Sequence, residues 1–254
     1  MLLLLSPAKT LDLETVREVP ALTQPRLLAA AQTLVEELRT VAISELQGLM
    51  KVSPAIAALN HRRFGDFHTP FDADNARPAL LAFRGDVYRG LGAVDFGAAE
   101  LRFAQDHLRI LSGLYGLLRP LDLLQAYRLE MGTRLAVGEH RNLYQYWGTR
   151  ITELLNADIA DTQAAAVVNL ASKEYFKALQ PDQLTAPVVD IDFKERKGDG
   201  YKIVAIYAKV ARGQMARFAV QEGLTDPAGL KDFSRDGYAY NTAESTDAHY
   251  VFTR

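Results

Sequence analysis

The chain has 254 residues, a formal net charge of −2 and no cysteine. This length is sufficient to bury a substantial core, as one large domain or two small ones. The absence of cysteine excludes structural disulfides, thiolate nucleophiles, Cys-ligated zinc and iron–sulfur clusters, and we expect a cytoplasmic protein. Because the charge is nearly balanced, a polyanion would have to bind at a local basic patch.

The first predicted element is a buried strand formed by the opening run of leucines. This run has no basic residues before it and stops at Ser6 and Pro7, which is too short for a signal sequence or a membrane span. Ser6, Lys9 and Thr10 follow the strand directly, and ligands in α/β folds bind at the carboxyl ends of strands. The segment SPAKT has no glycine, which disfavours a Walker-type phosphate loop. Lys9 and Ser6 are therefore either site residues or part of a solvated turn.

A helical region follows. Apolar residues recur at helical spacing over residues 27–38, and two short helices are predicted to begin at Ser44 and at Ser53 and to run to about Arg63. Residues 79–83 predict a short strand, and residues 95–111 predict a longer amphipathic helix. Its inward-facing residues are predicted to be Phe96, Leu101, Phe103, Ala104, Leu108 and Leu111.

Residues 109–134 have the composition of an anion-binding element, because their arginines are opposed only by Asp122 and Glu130. Gly113 and Gly116 permit a tight turn and let backbone N–H groups approach a ligand. The pattern predicts a helix, a turn and a second helix beginning at about Pro120. The alternative is an ordinary helical corner whose arginines pair with nearby acids or carbonyl groups. The arginines concerned are Arg109, Arg119, Arg128 and Arg134.

The remaining pattern predicts helices over residues 144–155 and 172–179, separated by a buried strand over residues 165–170. Ser172 is the predicted cap of the second helix, with Glu174 in its first turn. Strands over residues 188–193 and 201–207 flank a Gly-Asp-Gly turn and lead into a helix over residues 209–220, and two short strands lie within residues 238–252. We therefore predict an α+β fold, with a single mixed-sheet domain spanning residues 1–254 and helices around the sheet.

A second basic element lies between Tyr201 and Val220, where no acidic residue occurs. On the predicted helix, Lys209 and Arg212 are three residues apart and share a face. The segment is either a solvated helix face or a wall of a phosphate-binding cleft, to which Lys173 and Lys177 could add a third side. The basic residues in the segment are Lys202, Lys209, Arg212 and Arg217.

Neither metal nor cofactor chemistry is indicated. The histidines are scattered and form no metal-binding pair spacing, so each is expected to be structural or solvated. They are His61, His68, His107, His140 and His249. Several aromatic residues could stack on unpaired bases, although such residues in apolar surroundings are more often part of a core. They are Tyr115, Tyr127, Tyr144, Tyr146 and Trp147.

Seven segments carry a resemblance to a known family: LLLLSPAKTLD, FRGDVYRGL, LSGLYGLLRPLDLLQAYRLEMGTRL, LYQYWG, NLASKEYF, YAKVARGQMARF and DGYAYN. Through them the chain resembles, along nearly its whole length, the YaaA family of bacterial peroxide-stress-resistance proteins. The resemblance implies a mixed α/β fold peculiar to that family. It also implies DNA binding through a helix-hairpin-helix-like element, at about residues 100–130, in a positively charged cleft. A role in limiting damage from free iron and peroxide is implied as well.

The leading hypothesis is a monomeric DNA-binding protein that contacts phosphates without strong sequence preference, needs no cofactor and does not enter the membrane. Its predicted DNA-binding residues are Lys9, Arg109, Gly113, Tyr115, Gly116, Arg119, Arg128, Arg134, Lys173, Lys177, Lys209 and Arg212. No catalytic residue is assigned in this interpretation. The alternative is an enzyme acting on a phosphorylated or nucleobase-like small molecule, with Lys9 and Ser6 in its active site.

Overall fold

An eight-stranded mixed sheet forms the centre of the structure, as the α+β prediction requires. The computed structural model describes all residues, 1–254. The strands are β1 (Leu2–Leu5), β2 (Thr10–Leu11), β3 (Arg77–Pro78), β4 (Phe83–Arg84), β5 (Leu108–Ser112), β6 (Gly116–Leu118), β7 (Leu123–Leu124), β8 (Val167–Asn169), β9 (Val188–Lys197), β10 (Gly200–Lys202), β11 (Ala239–Tyr240) and β12 (His249–Thr253). The helices are α1 (Leu28–Thr40), α2 (Ile43–Met50), α3 (Pro54–Asp66), α4 (Ala79–Ala82), α5 (Asp86–Leu91), α6 (Ala98–His107), α7 (Leu143–Trp147), α8 (Arg150–Thr162), α9 (Lys173–Phe176) and α10 (Ala205–Gln221).

The leucine-rich first strand, β1, lies in the middle of this sheet. It pairs in parallel with β5 on one side and with β8 on the other, and all four of its residues are buried. The sheet continues from β8 through β9 to β12, again with parallel pairing. Because β5 pairs with one edge of β1 and β8 with the other, the order of the strands changes direction at β1. A crevice therefore lies outside the carboxyl end of β1, where open parallel sheets bind ligands.

The helical region after the first strand is confirmed. Helix α1 buries Ala31, Leu34, Val35 and Leu38, which are the apolar positions of the predicted pattern. Ser53 caps α3, since its side chain accepts a hydrogen bond from the backbone N–H of Ile56. No helix in the chain combines the length and the apolar character needed to cross a membrane.

The predicted helix, turn and helix over residues 109–134 is wrong. Helix α6 ends at His107, and the chain then forms an antiparallel hairpin in which Ser112 of β5 lies opposite Gly116 of β6. No helix follows before Leu143. Two helices joined by a tight turn are present elsewhere, as α2 and α3, where Lys51 has a positive φ of 52°. The residues of β5 form an apolar run that is buried on both faces. Such a run can pair with β1 as a strand, and here it does so instead of continuing helix α6.

Three other boundaries also differ from the prediction. Residues 79–82 form the short helix α4 instead of a strand. The predicted helix over residues 144–155 is two helices, α7 and α8, because the chain turns at Gly148 with a φ of 53°. The strand predicted over residues 201–207 ends at Lys202, and helix α10 begins at Ala205.

Helices α5 and α10 make an unusually close contact through two glycines. A Cβ atom on Gly90 would lie 2.1 Å from the carbonyl oxygen of Val210. A Cβ atom on Gly213 would lie 1.8 Å from the carbonyl oxygen of Val87. Only glycine permits this approach of one helix backbone to another, and the contact fixes α10 against the segment that contains Asp86.

Candidate phosphate-binding cleft

A cleft with a volume of about 420 Å³ lies at the carboxyl ends of β1 and β8. Its position matches the crevice that the strand order creates. Seven charged side chains line it, four basic and three acidic: Lys9, Arg84, Lys209, Arg212, Asp86, Glu130 and Glu174. The hydroxyl groups on its walls belong to Ser6, Thr10, Tyr88, Ser172 and Tyr175.

Five of the seven segments that carry the family resemblance contribute to this one cleft. These segments come from distant parts of the chain, and the fold brings them together at one edge of the sheet. The two that do not contribute are LYQYWG and DGYAYN. Of the predicted site residues, Ser6, Lys9, Lys209 and Arg212 line the cleft.

Two serines lie side by side where β1 and β8 end. The Ser6 hydroxyl accepts a hydrogen bond from the backbone N–H of Ser172 at 2.8 Å and lies 3.3 Å from the Ser172 hydroxyl. The Tyr88 hydroxyl donates to the carbonyl oxygen of Ser6 at 3.0 Å, and burial raises the pKa of Tyr88 well above its ordinary value. No histidine lines the cleft, so neither serine has an imidazole base to activate it as a nucleophile.

Lys9 is held by an acidic residue from the far side of the cleft. Its Nζ lies 2.9 Å from Oε2 of Glu130, whose Oε1 lies 3.2 Å from Nη2 of Arg128. The Glu130 segment passes directly over Gly113, where a Cβ atom would lie 2.2 Å from the carbonyl oxygen of Leu129. Gly113 therefore permits a close approach between backbones. The Lys9 side chain remains 61% exposed, so its ammonium group is accessible to a ligand.

Arg212 has no partner in the protein. It takes part in no ion pair, and its Nε atom is buried without a hydrogen-bond acceptor. Burial lowers the pKa of its guanidinium group, while the charge of Asp192 opposes that shift. The group stays positively charged, because the ordinary pKa of arginine is far above neutral pH. Lys209 lies three residues earlier on α10 and is exposed, so two unpaired cations face the cleft from one helix.

The arginines near the β5–β6 hairpin lie elsewhere. Arg109 is at the beginning of β5, away from the cleft, and its Nε donates to Asp158 at 2.6 Å. Arg119 binds the buried carboxylate of Asp122 through its side chain and its backbone N–H. The alternative prediction, that these arginines pair with nearby acids or carbonyl groups, therefore describes Arg119 and Arg128 correctly, and Arg109 also donates to the carbonyl oxygens of Gln105 and Leu108. The corner itself is a β-hairpin.

The other predicted binding residues divide into surface and interior groups. Lys173, Lys177 and Arg134 are on the surface, and the Lys177 ammonium lies 5.2 Å from the centre of the Tyr144 ring. Gly113, Tyr115 and Gly116 are buried in the core. Most of the aromatic residues considered for base stacking are buried too, namely Tyr115, Tyr127, Tyr146 and Trp147.

Several residues that shape the cleft were not singled out from the sequence. Tyr88 lines it from α5, and Gly85 lies beside Ala8 with a φ of 148°. Glu130 was named from the sequence only as an acid that opposes the nearby arginines, and it lines the cleft as well. The motif FRGDVYRGL was the available signal for Gly85 and Tyr88, because a glycine before a helix indicates an unusual backbone. No group of three or more His, Cys, Asp or Glu residues in the chain is placed to hold a metal ion.

Comparison with known proteins agrees with the resemblance noted in the sequence. A family model described as peroxide stress protein YaaA matches residues 1–244. A UPF0246 protein of Burkholderia vietnamiensis is 48% identical over 256 residues, which cover 100% of this chain and 98% of that protein. A UPF0246 protein of Burkholderia lata has the same identity and coverage. The chain therefore belongs to the YaaA family of peroxide stress proteins.

Proposed function

We propose that this protein binds DNA at the cleft, contacts phosphates without reading sequence, and acts in the peroxide stress response by limiting damage from free intracellular iron. The family supports the role in peroxide stress. The part concerning iron rests on the resemblance alone. Because the chain has no cluster of potential metal ligands, any effect on iron would be indirect.

The observation that carries the proposal is the unpartnered guanidinium of Arg212. A buried donor without an acceptor costs about 1–3 kcal/mol, so such a group is retained where a ligand supplies the acceptor. A phosphate offers several oxygens to the planar guanidinium and also neutralises its charge. Lys209 on the same helix and Lys9 opposite would approach the same phosphate or a neighbouring one.

The exposed cations around the cleft support a polymeric ligand. Lys173 lies beside Ser172 and Glu174, both of which line the cleft, and Lys177 lies directly after α9. A chain of phosphates could extend from the cleft onto these lysines, whereas a small molecule would stop at its walls. Arg109 and Arg119 are not part of this proposal, because neither lines the cleft.

The test is the salt dependence of DNA affinity. For the wild-type protein and a short mixed-sequence duplex, the logarithm of the affinity should fall by about 0.9 per neutralised phosphate with the logarithm of salt concentration. Arg212→Ala and Lys209→Ala should each weaken binding severalfold and reduce that slope by about one. Arg102→Ala is the matched control, since Arg102 is exposed on α6 and does not line the cleft. Equal affinities for all four proteins would refute a phosphate site in the cleft.

A second candidate function is an enzyme acting on a phosphorylated or nucleobase-like small molecule. The specific observation in its favour is the convergence of Lys9, Glu130 and the Ser6 and Ser172 hydroxyls in a cleft of about 420 Å³. A pocket of that size suits a ligand such as a single nucleotide. Lys9→Ala separates the two functions: a phosphate contact costs about tenfold or less in DNA affinity, whereas a catalytic lysine is not replaceable. If Lys9→Ala abolishes peroxide protection in cells while DNA affinity hardly changes, the enzymatic function is the better account.

A further inference from the structure

Four large apolar side chains are exposed within seven residues at the start of α10. Tyr201 is 37% exposed, Ile203 49%, Ile206 52% and Tyr207 48%. The other exposed large apolar residues of the chain are scattered singly, as is normal for a protein surface: Val16, Leu22, Ile43, Leu59 and Val94. We refer to the side chains of Ile203, Ile206 and Tyr207 as the rim patch.

The rim patch borders the cleft. Ile206 and Lys209 are three residues apart on α10 and share a face of the helix, and Lys209 lines the cleft. At the other end of the patch, β10 pairs with the end of β9, where Lys202 lies opposite Glu195. Glu195 in turn binds Arg254, on which the Tyr207 ring rests. Glu195, Arg254 and Tyr207 therefore lie on the face of the hairpin that carries Lys202, whereas Tyr201, opposite Arg196, points to the other face.

The ring of Tyr207 is supported from below. The Arg254 guanidinium lies 5.0 Å from the centre of the Tyr207 ring and 4.5 Å from that of Tyr238. Two hydrogen bonds from Arg254 Nε, of 3.0 and 2.9 Å, fix it to the Glu195 carboxylate, which also accepts a hydrogen bond from the Tyr238 hydroxyl. An aromatic ring held in place while nearly half exposed loses little entropy when a flat group stacks on it.

The charges around the rim patch indicate which kind of molecule it binds. Arg196, Lys197, Lys202 and Lys209 surround it, and Lys197, Lys202 and Lys209 are exposed. Asp199 is the one exposed acid in the hairpin, because Glu195 is bound to Arg254. A protein interface is depleted of lysine at its core, and two copies of this patch would repel each other. Exposed aromatic rings among cations are the arrangement that binds single-stranded nucleic acid, where bases stack and the backbone follows the positive charge.

We propose that the rim patch is a stacking platform for unpaired bases, with Tyr207 as the stacking residue, and that it receives a single-stranded segment whose phosphates continue into the cleft. This inference rests on the proposed DNA-binding function and specifies the form of nucleic acid bound. A base pair in a duplex already has both faces covered, so Tyr207 contributes to single-stranded binding alone.

The experiment compares two fluorescently labelled oligonucleotides by anisotropy: a mixed-sequence single strand of about 12 nucleotides, within the site sizes usual for such proteins, and the same strand in a duplex. Tyr207→Ala should weaken single-strand binding on the order of tenfold and leave duplex binding within about twofold. Tyr207→Phe should retain the wild-type affinity, because the ring is kept. Val16→Ala is the control for loss of an exposed apolar side chain away from the cleft. Thermal melting and far-UV circular dichroism confirm that the variants are folded.

Each remaining outcome overturns the inference in a recognisable way. If the wild-type protein binds neither oligonucleotide, the DNA-binding function fails and the inference fails with it. If the wild-type protein binds the duplex and the Tyr207→Ala variant binds the single strand as tightly as the wild type does, the inference alone is refuted. Equal losses in Tyr207→Ala and Tyr207→Phe would assign the effect to the hydroxyl group and exclude stacking. A dimer that dissociates in Tyr207→Ala, with unchanged single-strand binding, would make the patch a contact between copies of the chain.

Discussion

The close contact between α5 and α10 makes Gly213→Ala a sensitive test of how the cleft is held together. The new methyl group would lie 1.8 Å from the carbonyl oxygen of Val87, whereas ordinary contact begins near 3.4 Å. The two backbones would have to separate by roughly 1.5 Å, a movement that packed helices resist. Lys209 and Arg212 lie on α10 within four residues of this contact, so the separation would also displace both cations.

The expected change in stability is the difference between two effects. Overpacking costs about 1–3 kcal/mol, and replacing a helical glycine by alanine returns about 0.5–1 kcal/mol. The free energy of unfolding should therefore fall by up to about 2.5 kcal/mol. DNA affinity should fall severalfold as well, because Lys209 and Arg212 no longer face the cleft as in the wild-type protein.

Urea denaturation followed by circular dichroism measures the first effect, and anisotropy with a short duplex measures the second. Gly48→Ala is the matched control, since Gly48 lies inside helix α2 and a Cβ atom added there would have no other atom within 4 Å. That substitution should stabilise the protein by about 0.5–1 kcal/mol. If Gly213→Ala stabilises the protein to the same extent, the close approach of α5 and α10 does not exist and the reasoning is refuted.

The buried charges give three further predictions. Asp158→Asn should lower the free energy of unfolding by about 3–5 kcal/mol in urea denaturation, because Arg109, only 4% exposed, would lose its anionic partner; a loss below about 1 kcal/mol would contradict a buried ion pair. Burial favours a higher pKa for Asp158, but hydrogen bonds from its arginine partners outweigh burial and lower the pKa. The stabilisation of the fold by this ion pair is therefore complete above the unfolded-state pKa of about 3.9, and it is lost as the pH falls through the folded-state pKa. The melting temperature, measured as a function of pH, should therefore decrease below about pH 4, and the decrease should be smaller in Asp158→Asn than in the wild-type protein. Identical pH profiles for the two proteins would refute the assignment. Arg119→Ala should cost about 2 kcal/mol by leaving the buried Asp122 without its cation, whereas the exposed Arg134→Ala should change stability by less than about 0.5 kcal/mol; equal melting temperatures would show that the Arg119 pair does not contribute.

The sequence predicted the elements whose pattern is local. The buried strand at β1, the apolar face of α1 and the serine cap of α3 each depend on neighbours within a few residues, and each is confirmed. The sequence left open whether Lys9, directly after this strand, is a site residue or part of a solvated turn; in the structure it lines the cleft. The presence of a mixed sheet followed from the same strands.

The hairpin at β5 and β6 could not be predicted in the same way. The residues of β5 are all buried, and a short apolar run of that kind has no period that separates a strand from a buried helix. Its partner in the sheet is β1, about a hundred residues earlier, and the partner of Arg109 is Asp158, 49 residues later. Such contacts are set by the fold as a whole, and no window of sequence contains them.

The same limit affected the candidate stacking residues. Trp147 and Tyr115 lie in a motif-rich part of the chain, but both are buried in the core. The Trp147 indole donates a hydrogen bond to the carbonyl oxygen of Gly113. The exposed rings are Tyr201 and Tyr207, in a segment whose apolar residues predicted a strand. Tyr201 lies in the short strand β10, and Tyr207 lies in the first turn of α10, which begins earlier than the sequence predicted.

The central place of β1 has a consequence for the synthesis of the protein. The strand at Leu2–Leu5 has one partner at residues 108–110 and another at residues 167–169. At about 5–20 residues per second, the ribosome needs on the order of ten to thirty seconds to make the second partner after the first strand. Both edges of this run of leucines are unpaired until residues 108–110 are made, and one edge stays unpaired until residues 167–169 follow. Such segments aggregate or bind chaperones. The strand best protected in the finished protein is thus the one most exposed while the protein is being made.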